Sequence, residues 1–236
     1  MMSAELLPLV LLPGYMLDGS LWDEVMEKLP PALPVLRLPL GPGSTMEEIA
    51  WSVAQAAPAR FVLIGFSLGG YVARKVAELF PERVAGLVLV ATSLQADSEE
   101  RARAKQQAIA AMDPASFRGL SAGAISGSLH PDRRGDKELV ARIRDMGRRL
   151  GHAAMVVQSN LRRDGIAAES LRCPTLVIAA VQDPLRSAQE VRELAQAIPG
   201  ARLEVIEDTG HMLPLEQPEL LASVIGAWLD EQKNAW

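Results

Sequence analysis

The chain has 236 residues with 24 Lys plus Arg against 29 Asp plus Glu, and its net charge of −5 argues against nucleic acid as a partner, since phosphate binding calls for a basic surface. A single cysteine, Cys173, excludes an intrachain disulfide and a cysteine metal cluster. Aromatic residues make up only 4%, so the core must be built from Leu, Val, Ala, Ile and Met.

Six short apolar runs follow one another: Leu6–Leu12, Val35–Leu38, Phe61–Ile64, Leu87–Ala91, Thr175–Ala180 and Arg202–Ile206. Most are apolar at successive positions rather than alternating, as parallel strands covered on both faces require. The first run is short, broken by Pro8 and preceded by Glu5 instead of a basic leader, so no signal peptide is expected. No run reaches membrane-spanning length. A cytoplasmic protein with no membrane partner is the expectation.

Helical patterns separate the runs. Thr45-x-x-Glu48 has the form of a capping box ahead of Met46, Ile49, Ala50 and Val53 on one face. A helix over Tyr71 to Phe80 follows the third run. Ser187-x-x-Glu190 repeats the capping pattern before the stripe Val191, Leu194, Ala195 and Ile198, with Gly200 as a stop. Pro218 suits a first helical turn, and Leu221, Val224, Ile225, Trp228 and Leu229 form the last stripe. Alternation of this kind means an α/β fold with a mostly parallel sheet.

Between the fourth and fifth runs the rhythm breaks, and residues 95–168 read as helices. Ser98 caps a segment reaching Met112, Asp113-Pro114 starts another, and Asp136 caps a third that ends at Gly151. A structureless loop of that length is implausible, so a helical cap inserted after the fourth strand is expected, with 1–94 and 169–236 as the core. Its place beyond a strand's carboxyl end puts it over the edge where α/β sheets bind ligands. The insertion holds 13 Lys plus Arg against 9 Asp plus Glu, net +4, and the remainder is net −9. A basic lid over an acidic body favours anionic substrates, although solvated faces of Arg-rich helices account for most such residues. Leu94, Met112, Phe117, Leu120, Leu129, Met155 and Leu161 either line an apolar pocket or hold the lid helices together. Arg162 and Arg163 are either exposed or a fork for a substrate carboxylate.

The third run ends in Gly65-Phe66-Ser67-Leu68-Gly69-Gly70, a Gly-x-Ser-x-Gly pattern between a strand and a helix. That context makes it a nucleophile elbow: the serine occupies the apex of a sharp turn, and side chains at Gly65 or Gly69 would collide with the neighbouring strand and helix. The turn also puts Ser67 at the positive end of the next helix. A serine hydroxyl needs a base. Of three histidines, His130 and His152 fall in the insertion and suit surface or packing roles, whereas His211 follows the sixth run at the sheet edge that carries Ser67. The imidazole needs an orienting carboxylate. Asp183 after the fifth run has the chain order and strand position for it, ahead of Asp97, Glu207 and Asp208, although Asp before Pro is also a turn former. Donors for an oxyanion are expected from the backbone N–H of Leu68 and that of Tyr15, in the loop after the first run where Gly14 permits close approach.

With Leu11-Leu12-Pro13-Gly14-Tyr15, Gly65 to Tyr71, Phe80-Pro81-Glu82-Arg83-Val84, Cys173-Pro174-Thr175-Leu176-Val177 and Gly210-His211, the chain resembles an α/β-hydrolase-fold serine hydrolase over nearly its whole length. It is similar to the small bacterial carboxylesterases and enol-lactonases of the biotin-pathway methylesterase type. The resemblance implies hydrolysis of a small carboxylic ester or lactone by Ser67, His211 and Asp183, without cofactor or metal, in a monomer or homodimer. It also permits thioester or carbon–carbon bond hydrolysis or a lyase-type synthase, and a ligand-binding protein on the same scaffold is the alternative from another class, which the presence of all three triad members disfavours. The chain departs from the family twice. Pro13-Gly14 stands where His-Gly is common, and only five residues precede the first run where many members carry an antiparallel hairpin. A six-stranded, wholly parallel sheet is therefore expected.

Overall fold

Strands that are apolar at every position must be covered on both faces, and the sheet is built on that requirement. A computed structural model describes residues 7–96, 98–166 and 168–233. Strands β1 (Leu9–Leu12), β2 (Val35–Arg37), β3 (Phe61–Phe66), β4 (Val84–Val90), β5 (Thr175–Ala180) and β6 (Arg202–Ile206) form one sheet in the order β2-β1-β3-β4-β5-β6. Every neighbouring pair is parallel, as expected. The four inner strands are buried throughout, whereas the edge strands β2 and β6 are largely half-exposed. Strand β1 starts only at Leu9, after Pro8; Leu6 of the expected run lies outside the described residues.

Alternate side chains of each inner strand feed two cores. Leu9, Leu11, Val62, Ile64, Val88 and Ile178 pack on the side of helices α1 (Asp23–Lys28) and α9 (Pro218–Gln232). Val10, Leu12, Leu63, Leu87, Leu89 and Val177 pack on the side of α2 (Met46–Ala56), α3 (Leu68–Leu79) and α7 (Ala188–Ala197). The chain leaves β1 for one edge, then returns past it to β3, so the carboxyl ends of β1 and β3 flank the point where strand order reverses. That crevice is where open α/β sheets accept ligands.

The two capping motifs resolve differently. At α7, Ser187 Oγ accepts from the Glu190 N–H (3.2 Å) and the Glu190 carboxylate accepts from the Ser187 N–H (2.7 Å), the full reciprocal box. At α2, Thr45 Oγ1 accepts from the Glu48 N–H (3.1 Å), but the Glu48 carboxylate is held by the Ser44 N–H and hydroxyl (2.7 and 2.9 Å), one residue outside its expected partner.

Helices α4 (Glu99–Ala110), α5 (Ala122–Ser128) and α6 (Lys137–Asn160) lie between β4 and β5. Gly151 does not end α6 as expected. Its φ of 82° and ψ of 172° break the helix, which then resumes to Asn160 and brings Gln158 and Ser159 over the sheet. Two residues of α3 hold the segments that flank these three helices. The Tyr71 hydroxyl donates to Gln95 O (2.7 Å), and the fully buried Arg74 donates to Ser93 O (2.9 Å) and Ile166 O (3.3 Å). Burial pulls the Arg74 guanidinium down to about 10. Two further helices, α8 (Leu213–Glu216) and α9, close the chain.

The reciprocal box at α7 makes Ser187→Ala a clean test of local design. Loss of an N-cap side chain costs about 1 kcal/mol, which for a chain of this size lowers Tm by about 2–4 °C, read by thermal denaturation.

Candidate active site

The end of β3 leads straight into α3, and Ser67 between them has φ 50° and ψ −112°, a conformation that costs a non-glycine residue roughly 1–3 kcal/mol. Its neighbours leave no other path. A Cβ at Gly65 would lie 2.4 Å from Gly69 O, one at Gly69 would lie 2.4 Å from Pro13 O, and one at Gly70 would lie 2.6 Å from the Thr92 methyl. The first two collisions follow from the motif; the third, with the segment after β4, does not. Leu68 is the first helical residue, so its N–H has no acceptor inside the helix and points with the helix dipole toward the serine.

Ser67, Asp183 and His211 meet at one rim of the sheet. His211 Nε2 lies 2.9 Å from Ser67 Oγ, and His211 Nδ1 lies 2.7 Å from Asp183 Oδ2. A carboxylate only accepts, so Nδ1 carries the proton and Nε2 is left to accept from the serine hydroxyl. The ring is buried and packs at 5.2 Å against Phe66. Asp183 is also the turn former that its place before proline suggests: Oδ1 accepts from the Leu185 N–H (2.7 Å) and the Arg186 N–H (2.9 Å). One carboxylate therefore shapes its own turn and holds the imidazole. Of its competitors, Glu207 and Asp208 are exposed, and Asp97 lies outside the described residues.

Tyr15 lines the cavity above Ser67, in the loop whose Leu12 and Pro13 carbonyls abut Gly69. That loop is held by the second half of α6. The Met16 N–H donates to the buried Gln158 Oε1 (2.8 Å), and the Tyr15 hydroxyl shares a hydrogen bond with Ser159 Oγ (2.8 Å). Met16 sits at φ 55°, so a lost acceptor would leave a buried N–H in a strained turn. The sequence offered one sign of Gln158, an isolated amide in the stretch Ala153-Ala154-Met155-Val156-Val157-Gln158.

Glu216 is the second residue that sequence reasoning missed. It is buried, its Oε1 accepts from the His130 N–H (2.7 Å), and its Oε2 accepts from the Gly210 N–H (3.1 Å). Burial pushes its carboxyl up, against the downward pull of those backbone donors. The His211 N–H donates in turn to Ser128 O (2.8 Å), and a Cβ on Gly210 would lie 2.3 Å from the His130 N. The loop bearing the imidazole is thus packed against the end of α5.

The cavity over Ser67 and His211 has a volume of about 470 Å³. Of the seven apolar residues considered, Leu120 alone lines it. Phe117 and Met155 pack around Met16, Leu129 and Leu161 enter the two cores, and Leu94 and Met112 are exposed. The arginine pair divides: Arg162 is exposed and paired with Asp164, whereas Arg163 is buried and lines the cavity. His130 caps the Asp132 N–H (3.3 Å), His152 stacks edge-on to Phe117 (5.9 Å), and neither reaches the cavity.

Residues 43–218 match the alpha/beta hydrolase fold family, and the chain belongs to it. It is similar to the pimeloyl-[acyl-carrier protein] methyl ester esterase of Vibrio vulnificus, with 38% identity over 107 residues that span 42% of each chain. It is similar also to the enzyme of that name from Sodalis glossinidius, with 42% identity over 93 residues and 36% of each chain. The matched stretch thus covers well under half the length of these relatives. Among solved structures, a thermophilic esterase from Thermogutta terrifontis in a malate-bound form superposes with a TM-score of 0.82 at 27% identity, covering 95% of this chain and 90% of that one. The enol-lactonase from Burkholderia xenovorans superposes equally well, at 0.82 over 95% of this chain and 92% of that one, but at 21% identity it speaks for the fold alone.

Truncating Glu216 to alanine strands two backbone N–H groups where the imidazole-bearing loop meets α5. Each unsatisfied buried donor costs about 1–3 kcal/mol, so Glu216→Ala is expected to lose roughly 2–6 kcal/mol in a urea titration. Unchanged stability would mean those donors find water.

Proposed function

We propose that the chain is a cofactor-independent serine hydrolase that cleaves a small carboxylic ester or lactone. The single observation that carries the reading is the hydrogen-bonded series Asp183 Oδ2, His211 Nδ1, His211 Nε2 and Ser67 Oγ, with links of 2.7 and 2.9 Å. The methyl ester esterases among its relatives support an ester as the substrate class.

In this reading Ser67 Oγ attacks the carbonyl carbon as its proton passes to His211 Nε2. Asp183 keeps Nδ1 protonated and stabilises the imidazolium. The tetrahedral oxyanion is taken by the N–H groups of Leu68 and Tyr15, each worth about 3 kcal/mol of transition-state stabilisation. The imidazolium then protonates the leaving alkoxide, leaving an acyl-serine. Water attacks that ester as His211 Nε2 takes its proton, and return of the proton to Ser67 Oγ frees the acid. Because Leu68 starts α3, the helix dipole favours the negative charge that develops beside it. Residues 95–168 serve as the lid: α6 holds the Tyr15 loop through Gln158 and Ser159, and α5 packs on the loop of His211. The excess of Lys and Arg in this segment biases the cavity toward anionic substrates.

Ser67→Ala is expected to lower ester turnover by about 10⁶, since the members of such a triad act as a unit. A fluorophosphonate is expected to label wild-type protein on the peptide that carries Ser67, and His211→Ala is expected to abolish that labelling. An alanine variant at position 67 that hydrolyses p-nitrophenyl acetate at the wild-type rate would end this reading.

A further inference from the structure

We propose that the cavity above Ser67 takes substrates bearing a second, ionised carboxylate, and that the guanidinium of Arg186 anchors it. The inference rests on the serine-hydrolase reading and adds the chemistry of the substrate's far end.

The lining carries the first argument. Lys105, Arg163 and Arg186 all face the cavity, and among the described residues no carboxylate lines it. The guanidinium carbons of Arg74, Arg163 and Arg186 lie 5.2, 5.5 and 6.0 Å from the centre of the Tyr71 ring. An aromatic face attracts each cation, but three like charges about one ring also repel, and more strongly where water is excluded. An anion entering the cavity is favoured by the two of them that line it, Arg163 and Arg186.

Arg186 has donors to spare. Its Nη1 donates to Leu185 O (2.8 Å), it forms no ion pair among the described residues, and its buried Nε has no hydrogen-bond acceptor. A buried donor left without a partner is costly, and a small turn of the guanidinium that presents Nε to a ligand carboxylate in the cavity recovers that cost. The planar Nε–Nη edge of a guanidinium matches the two oxygens of a carboxylate.

Position is the third argument. The Arg186 N–H donates to Asp183 Oδ1 (2.9 Å), and Asp183 Oδ2 holds His211 (2.7 Å). The anchor and the imidazole are therefore registered by one carboxylate, so a substrate gripped at its charged end presents its carbonyl at a set distance. Leu17, Leu120, Ile125 and Met212 form apolar walls of the same cavity, suited to a short alkyl spacer. At about 470 Å³ the space accepts a half-ester of a short dicarboxylic acid or a lactone bearing a carboxylate.

The test compares kcat/KM for the monomethyl esters of succinic, glutaric and adipic acids with that for their neutral dimethyl diesters. Wild-type protein is expected to favour the monoester by about 10- to 100-fold for at least one chain length, the range of a charge-assisted hydrogen bond, with the effect on KM. Arg186→Gln is expected to bring that ratio to about one, and Arg186→Lys, which keeps the charge without the fork, to leave it intermediate. Diesters hydrolysed as well as or better than every monoester, or a ratio untouched by Arg186→Gln, would overturn the anchor and leave the hydrolase reading standing. No turnover of either series, with Ser67 unlabelled by a fluorophosphonate, would overturn both.

Discussion

Ser67 holds a backbone conformation, φ 50° and ψ −112°, that a residue with a side chain adopts only when its surroundings leave no alternative, and here three glycines remove the alternatives. Gly65 lets the start of α3 close on the end of β3, Gly69 lets the helix meet the loop after β1, and Gly70 lets it meet the segment after β4. Each contact is backbone against backbone or against a buried side chain, so none can relax cheaply. The strain at one residue is held by packing spread over three strands. The same packing delivers the proposed nucleophile, the loop with Tyr15 and the helix N-terminus to one point at which the strand order reverses.

Around that centre, the helices between β4 and β5 together with α8 supply what the sheet cannot. Loops at the carboxyl edge carry backbone N–H groups that must find acceptors once covered. The Met16 N–H finds Gln158, while the Gly210 and His130 N–H groups find Glu216. The carbonyl of Ser128 at the end of α5 receives the His211 N–H. Apart from Gly210 with Glu216, these pairs are far apart along the chain, and they exchange hydrogen bonds beside the groups proposed to react. A segment bound in this way shapes the cavity and positions its chemistry at once.

Asp183 shows how one side chain can hold a structural task and the chemical one proposed for it without conflict. Its two oxygens divide the labour, Oδ1 taking two backbone N–H groups of its own turn and Oδ2 the imidazole. The turn carries Arg186 into the cavity beside Arg163, and Tyr71 lies beneath both guanidinium groups. Charge at this site is therefore arranged by the fold, against a chain whose overall charge is negative.

The strands and their parallel pairing were legible in the sequence because a strand buried on both faces leaves a local mark, an unbroken run of Val, Leu and Ile, whereas their order across the sheet came only from the structure. The elbow was legible for a similar reason: a turn that tight admits only glycine at fixed offsets. Asp183 and His211 were singled out by their place after a strand, and the structure brings both together with Ser67. Gln158 and Glu216 left no comparable mark, since a polar residue that satisfies a distant backbone N–H has no periodicity and no fixed spacing from its partner. Gly151 was read as a helix stop, and locally it is one, but the chain coils again beyond it and there meets the Tyr15 loop. In the same way Arg162 and Arg163 are neighbours of one type, and their directions in space alone send the first to solvent and the second into the cavity. Local sequence determined which elements form and where the sharp turn falls; the tertiary structure decided which polar groups meet across the insertion, because those meetings depend on distances that no short stretch of chain encodes.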